Sequence, residues 1–263
     1  MTRASPSSPR LIAIASGKGG VGKTWFAITL AHALARAGGR ILLFDGDFGL
    51  ANVDIQLGLL PGPDLSAVVA GTMCLADAIR ACAPGGFDIL PGRSGSGALA
   101  ALPPATLERV LAGLATLGGR YEVVLLDLGA GLERGTRRLA AASDTLLVLA
   151  TEEPASITDA YAVLKVNAAD RAAHAATQGA AVGASADARV VVNQAASHAA
   201  GERTYATLAQ ACQTFLGARP ALAGIIRQDA KVREAIRRQC LLLTRHPASE
   251  AGADVEAMAV ALL

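Results

Sequence analysis

Short apolar runs alternate with longer helical patterns along this chain, the signature of parallel strands joined by crossover helices. Strands are expected at Leu11 to Ala15, Arg40 to Asp45, Phe87 to Leu90, Tyr121 to Asp127, Asp144 to Thr151, Arg189 to Asn193 and Leu222 to Ile226. Helices are expected at Thr24 to Ala37, Pro104 to Leu117, Ser156 to about Ala176, Gly201 to Phe215, Asp229 to Arg238 and Pro247 to Leu263. Gly38 and Gly39 supply a C-cap for the first helix, and Pro104 suits a first helical turn. The Gly/Ala-rich stretch Gln178 to Ala188 reads as a surface connector, and the Ser/Pro-rich residues 1–10 as a disordered tail. The expected fold class is α/β: a single doubly wound domain over residues 11–263, with a mostly parallel central sheet flanked by helices. In such a sheet ligands bind at the carboxyl ends of the strands, so the residues that close each apolar run matter most.

The first run closes in Gly17-Lys18-Gly19-Gly20-Val21-Gly22-Lys23-Thr24, with Trp25 following in the same helical turn. Glycine, four residues, then Gly-Lys-Thr between a strand and a helix is the phosphate-loop pattern. Backbone N–H groups turn inward along a path that glycine follows closely, and they meet a helix N-terminus whose dipole favours an anion. Lys23 can reach the β- and γ-phosphates, and the Thr24 hydroxyl can ligate the Mg²⁺ that bridges them. Gly17, Lys18, Gly19, Gly20, Val21, Gly22, Lys23, Thr24 and Trp25 are therefore the candidate nucleotide-binding residues. The same letters spell Gly17-x-Gly19-x-x-Gly22, the dinucleotide fingerprint, with Asp45 about where a ribose-binding acid would sit. A single pyrophosphate has no need of Lys18, Lys23 and Thr24 around one turn, whereas a triphosphate with Mg²⁺ uses all three. A triphosphate is thus the favoured ligand and a nicotinamide or flavin enzyme the distant alternative. A turn that binds nothing would bury two lysines side by side at a cost of roughly several kcal/mol.

Acids close two other runs. Ile41-Leu42-Leu43-Phe44 leads into Asp45-Gly46-Asp47. Carboxylates one residue apart on a turn can face one side, one supporting the water shell of a metal and the other holding an attacking water in line. Aspartates after strands also cap turns, and that reading stands beside the first. Val123-Val124-Leu125-Leu126 leads into Asp127, which fits the role of holding Mg²⁺ through water. Thr24 and Asp127 are candidate metal residues, Lys23 is a candidate catalytic residue, and Asp45 and Asp47 share the metal-supporting and water-holding roles between them. Asn193 closes Val190-Val191-Val192, where it can read the amino group of adenine or simply form a turn. Arg227, Gln228 and Asp229 lie on the same edge and can border the base.

Composition narrows the classes. A net charge of +2 gives no global basic field for sequence-independent nucleic-acid binding. Cys74, Cys82, Cys212 and Cys240 include no Cys-x-x-Cys pair, which argues against a disulfide framework, a metal site and an iron–sulfur cluster. They read as small buried hydrophobes. Although 52% of residues are hydrophobic, no stretch approaches the ~20 uninterrupted apolar residues of a membrane helix, so that content belongs in a core. The polar start and the short first run make no secretory signal, and a soluble cytosolic protein is expected.

On these residues the chain resembles the MinD/ParA (deviant Walker A) ATPase family, whose phosphate loop carries an additional lysine at the position of Lys18. Gly49-Leu50-Ala51-Asn52-Val53-Asp54-Ile55-Gln56-Leu57-Gly58-Leu59 and Glu153-Pro154-Ala155-Ser156-Ile157-Thr158-Asp159-Ala160-Tyr161 are similar to two signatures of its FlhG/FleN branch. The likeness runs from Leu11 to about Leu243. It implies a P-loop NTPase fold of the MinD-like kind and a homodimer that forms on Mg-ATP and hydrolyses it slowly. It implies further that Lys18 reaches the partner's nucleotide, that Asp47 orients the lytic water with Asp45 near the metal in switch I, and that Asp127 to Gly131 form a γ-phosphate-sensing switch II. Asn193 matches an adenine-reading Asn. The implied biology is control of flagellar number or placement, with an FlhF-type GTPase, flagellar switch proteins or a flagellar transcription activator as partners.

The chain departs from that pattern in places. Leu128 stands where relatives commonly carry Ser or Thr, so a hydroxyl hydrogen bond is lost. Relatives often begin with a Gln-bearing segment that stimulates FlhF; here no Gln precedes Gln56, so that stimulation is not expected. The final residues, Asp254 to Leu263, hold acids and no Lys or Arg, so the terminal helix is expected to pack on the core rather than dock on anionic lipid. Lys231, Arg233, Arg237 and Arg238, with Arg245 nearby, form one basic patch opposite the apolar edge of Val232, Ala235 and Ile236, and Glu234 cancels part of its field. It reads as a solvated face. The alternative is contact with DNA phosphates, which would make the protein a ParA-like partition ATPase.

Overall fold

The alternation of residues facing up and down along each apolar run dictates two separate cores, one on each side of a sheet. A computed structural model of the chain describes residues 8–93, 102–177 and 187–262, without the side chains of 174–177. Its strands are β1 (Arg10–Ser16), β2 (Ile41–Gly46), β3 (Arg80–Cys82), β4 (Phe87–Leu90), β5 (Val123–Ala130), β6 (Thr145–Ala150), β7 (Asp187–Ala195) and β8 (Ala221–Arg227). They form one sheet in the order β3-β4-β2-β5-β1-β6-β7-β8, parallel throughout except for the antiparallel β3–β4 pair at one edge. The α/β doubly wound class expected from the sequence is the one observed.

Ile12 and Ile14 of β1, Leu43 of β2 and Leu125 of β5 face one side, where they meet Phe26, Leu30 and Leu34 of the Lys23–Arg36 helix and Val255 and Met258 of the Glu250–Leu262 helix. Ala13 and Ala15, Phe44 and Leu126 face the other side, beneath Leu107 and Leu114 of the Pro104–Ala115 helix, Leu139 of Arg134–Ala142, Val163 of Pro154–Thr177 and Leu208 of His198–Leu216. Coverage on both faces explains why the central strands are apolar at successive positions. The terminal helix buries Ala251, Val255, Met258, Ala259 and Leu262 and leaves Val260 exposed, so it packs on the core as expected. No helix among the described residues is long and apolar enough to cross a membrane.

All seven expected strands are present, shifted by at most three residues at any end. Arg10 was assigned to the tail but begins β1, where its guanidinium donates to the Leu262 carbonyl and the Thr145 hydroxyl. Most of the expected tail and of the Gln178 to Ala188 connector lies outside the described residues. Pattern reading missed β3 and four short helices, Val53–Gln56, Leu65–Val69, Arg134–Ala142 and Leu242–Arg245. Three of these are only one turn long, and Arg134–Ala142 is so rich in charge that its buried side reduces to Thr136, Leu139 and Ala140. Of the cysteines, Cys82 and Cys212 are buried as expected, whereas Cys74 is exposed and Cys240 only partly covered.

Close helix-to-sheet approach depends on Gly201, where an added Cβ would sit 2.4 Å from Ile225 Cγ2 of β8. Alanine normally favours a helix interior by about 1 kcal/mol over glycine. Overpacking costs roughly 1–3 kcal/mol, so Gly201→Ala is expected to lower the urea unfolding midpoint rather than raise it.

Candidate functional site

β1 lies between β5 and β6, and its carboxyl end releases the glycine loop into the Lys23–Arg36 helix. Gly20 and Gly22 have φ of 80° and 92°, the left-handed conformation that turns successive N–H groups to one side. The first intrahelical bond runs from the Phe26 N–H to the Gly22 carbonyl, so the N–H groups of Lys23, Thr24 and Trp25 precede the helical ladder and face the same concavity. The Trp25 side chain is a different matter, being 6% exposed within the hydrophobic core. Its backbone N–H is the part that a ligand in the loop can reach.

The two lysines of the loop have separate environments, contrary to the expectation of a jointly buried pair. Lys23 is buried, and its Nζ donates to Ser16 Oγ at 3.0 Å. Burial lowers its pKa, with Asp127 and then Asp47 opposing the shift. Ser16, which sequence reading passed over although it closes β1, also donates to the Lys18 carbonyl at 2.7 Å. Lys18 is exposed, and its ammonium lies 2.5 Å from Glu153 Oε2, which raises its pKa. Gly17 explains the loop's fit beside that glutamate, since a Cβ there would fall 2.5 Å from the Asp159 carbonyl oxygen. The segment Glu153 to Asp159, singled out above for its similarity to relatives, is thus the seat of the phosphate loop.

Asp45 and Asp127 are register partners on β2 and β5 and are 0% and 1% exposed. Burial is the chief cause of a raised pKa in both. For Asp45, Asp127 adds to the shift, while N–H donors from Val53 and Asp47 oppose it. Asp127 is pushed up to about 7, with Thr24 and Lys23 drawing it back and Asp47 adding to it. Neither Asp127 oxygen completes a hydrogen bond among the described residues. Asp45 instead turns its oxygens on its own loop, accepting from Asp47 N at 3.3 Å and from Asn52 N and Val53 N at 3.0 Å each. Asp47 Oδ1 accepts from Leu50 N at 2.9 Å and Gly49 N at 3.3 Å, so the turn-capping reading holds for both acids. Asp47 also faces the end of β5, where a Cβ on Gly129 would lie 3.3 Å from its Oδ1. A groove of about 1130 Å³ leads from Asp47 and Gly129 to solvent between the Pro104–Ala115 and Arg134–Ala142 helices.

These groups suit a hard divalent cation. Among the described residues no cluster of three His, Cys, Asp or Glu side chains could cage a metal by itself. A hydroxyl, one bare buried carboxylate and a nest for phosphate oxygens are the donors Mg²⁺ commonly takes together.

Asn193 is 2% exposed, and its Nδ2 donates to the Val21 carbonyl at 2.8 Å, which leaves Oδ1 as the atom able to accept from a base. Arg227, anticipated at the border of the base, is engaged elsewhere in the chain. Its guanidinium is held by Asp254 and Glu250 of the terminal helix, while Asp229 caps the Ala230–Arg237 helix through Lys231 N and accepts from Ser249 Oγ. In the basic patch, Lys231 donates to the Ala248 carbonyl and Arg238 pairs with Glu234 at 3.0 Å, so Glu234 offsets part of the field as its spacing suggested.

The family model for the CobQ/CobB/MinD/ParA nucleotide binding domain matches residues 12–242. The chain belongs to that family. Within it the chain is of the FleN/FlhG type: it is 34% identical to the antiactivator FleN of Pseudomonas aeruginosa over 250 residues, 95% of this chain and 85% of that protein. It is 35% identical to the flagellum site-determining protein YlxH of Helicobacter pylori over 62% of this chain and 55% of that one. The septum site-determining protein MinD of Pyrococcus horikoshii, solved with Mg-ADP, shares the fold with a TM-score of 0.75 at 24% identity, covering 97% of this chain and 96% of that one. The chain is accordingly a nucleotide-binding ATPase of the MinD/ParA kind with a MinD-like fold.

The raised Asp127 pKa has a definite sign. A carboxyl that holds its proton more tightly when folded favours the native state below its unfolded pKa near 3.8 and loses that advantage as pH rises toward about 7. Metal-free protein is expected to melt at progressively lower temperature between those values. Asp127→Asn should flatten that dependence and melt higher than wild type at pH 8; a steeper or unchanged profile would remove Asp127 as its source.

Proposed function

We propose that the protein is an ATP-driven switch that pairs as a homodimer on Mg-ATP, hydrolyses it slowly to ADP and phosphate, and through its two states regulates flagellar number or placement. The observation that carries this reading is the juxtaposition of buried Lys23 with the bare Asp127 carboxylate at the mouth of a glycine nest. Each draws the other toward its charged form, yet burial outweighs that attraction at both, and a metal-bound triphosphate brings further opposite charge to each. The 34% identity to FleN supports the flagellar assignment.

The N–H groups from Gly17 to Trp25 hold the phosphate chain, and Lys23 neutralises its β- and γ-oxygens. Thr24 and Asp127 would hold Mg²⁺, with Asp45 behind them fixing the switch I turn. Mg²⁺ held there would supply charge compensation to the phosphate oxygens. Asp47 aligns water with the γ-phosphorus, and Asn193 borders adenine through Oδ1. Lys18 leaves Glu153 and reaches the partner's phosphates, adding positive charge as the γ-phosphoryl departs. Partners consistent with the family are an FlhF-type GTPase, flagellar switch proteins or a flagellar transcription activator, any of which can accelerate turnover through the groove beside Asp47. The protein works from the cytoplasm, reaching the membrane or pole by way of such partners. The DNA-binding alternative gains no support from a patch in which Lys231 and Arg238 already have partners.

Asp47→Ala is expected to slow hydrolysis by on the order of 100-fold or more while leaving ATP binding intact, so that sizing with Mg-ATP shows a persistent dimer. Lys18→Ala should bind ATP in calorimetry yet elute as a monomer under the same conditions. Normal dimerisation of Lys18→Ala would exclude the trans-acting lysine.

A further inference from the structure

An anion nest has two sides. For the N–H groups of a loop to converge inward, the carbonyls of the same peptides must point outward, and buried carbonyls need donors of their own. Here the outward side of the phosphate loop faces the end of β7. Asn193 Nδ2 donates to the Val21 carbonyl at 2.8 Å within the protein interior, and Gln194 Nε2 lies 3.4 Å from the Gly20 carbonyl. Pairing between β7 and β8 shifts register between Val192 and Ala195, and Gln194 takes the left-handed conformation at φ 58°. Such irregularities re-aim side chains next to sites, and this one directs two consecutive amides at the loop. Gly22, at φ 92°, leaves the room required, since a Cβ there would sit 2.6 Å from Asn193 Nδ2.

We infer that Asn193, assisted by Gln194, is a positioning residue that presets the phosphate nest by holding the outward carbonyls of Gly20 and Val21, and that this role is independent of the base. The inference rests on the triphosphate reading above and assigns to Asn193 a task distinct from adenine recognition. The two tasks use different atoms, the NH₂ group for the loop and Oδ1 for a base, so they can be separated by ligand rather than by residue alone. A base reader affects ATP selectively. A loop brace affects every ligand that carries the phosphates.

The test is calorimetric titration of the full chain with Mg-ATP, Mg-GTP and Mg-tripolyphosphate. Asn193→Ala is expected to weaken Mg-tripolyphosphate and Mg-GTP by about tenfold, the usual consequence of orphaning a buried carbonyl, and Mg-ATP by at least as much, because the contact of Oδ1 with adenine is lost as well. Gln194→Gly, which keeps the positive φ while deleting the longer hydrogen bond, should give a smaller parallel loss. If Asn193→Ala does not fold, Asn193→Ser carries the same comparison, because its hydroxyl is too short to reach Val21. A loss confined to ATP, or unchanged tripolyphosphate affinity, overturns the inference and leaves Asn193 as a base reader. Failure of wild type to bind either ATP or tripolyphosphate overturns instead the nucleotide reading on which it rests.

Discussion

Charge burial at one strand edge is the constraint from which the rest of this structure follows. An ammonium and two carboxylates are withdrawn from water at the carboxyl ends of β1, β2 and β5, where desolvation dominates the titration of each. Such groups are tolerated only where the surroundings are rigid enough to hold them apart and where a ligand completes their neutralisation. The sheet order supplies the rigidity. By placing β5 between β1 and β2, it sets Asp127 beside Asp45 in register and within the field of Lys23. Two apolar layers, one on each face, keep water away from all three.

From that edge the arrangement spreads outward through backbone hydrogen bonds. Asp45 accepts from Asn52 and Val53, so the carboxylate deepest in the site also fixes the start of the Val53–Gln56 helix. Ile55, inside that helix, accepts from the Gln239 side chain at 2.7 Å, which ties the segment after β2 to the end of the Ala230–Arg237 helix. On the opposite flank Gly17 packs on Asp159 and Gly131 N donates to the Ser16 carbonyl at 2.9 Å, so the glycine loop, the turn after β5 and the Pro154–Thr177 helix share contacts. A change in charge at Asp45 or Asp127 is therefore felt first by backbone that reaches the surface, as a nucleotide switch requires.

Strand positions and site residues were legible in the sequence for different reasons. Strands such as Val123 to Leu126 and Val190 to Val192 announce themselves because burial on both faces demands uninterrupted apolar residues. Asp45, Asp47 and Asp127 were found by asking what closes each run. The same question applied to β1 and to the stretch after β6 would have yielded Ser16 and Glu153, which hold the two loop lysines. What sequence could not supply was direction. That Asn193 turns its NH₂ on Val21 and not only its oxygen on a base follows from a register shift between β7 and β8, which no local pattern encodes. Arg227 likewise sits on the expected edge but is claimed by Asp254, 27 residues later, on a helix whose packing is set by the whole core.

The two lysines illustrate how exposure divides labour within one loop. Lys23 cannot leave, because its stem is buried and its ammonium would have to cross an apolar boundary to find another anion. Lys18 can leave readily: its pair with Glu153 is exposed on both sides, so solvent and salt weaken the attraction and a stronger anion displaces the carboxylate at little cost. A triphosphate carries more charge than one glutamate and concentrates it at a rigid site. The same eight-residue loop thus holds one cation fixed against Ser16 and a second in an exposed pair with Glu153, and under the proposed function that glutamate sets the threshold an incoming anion must exceed.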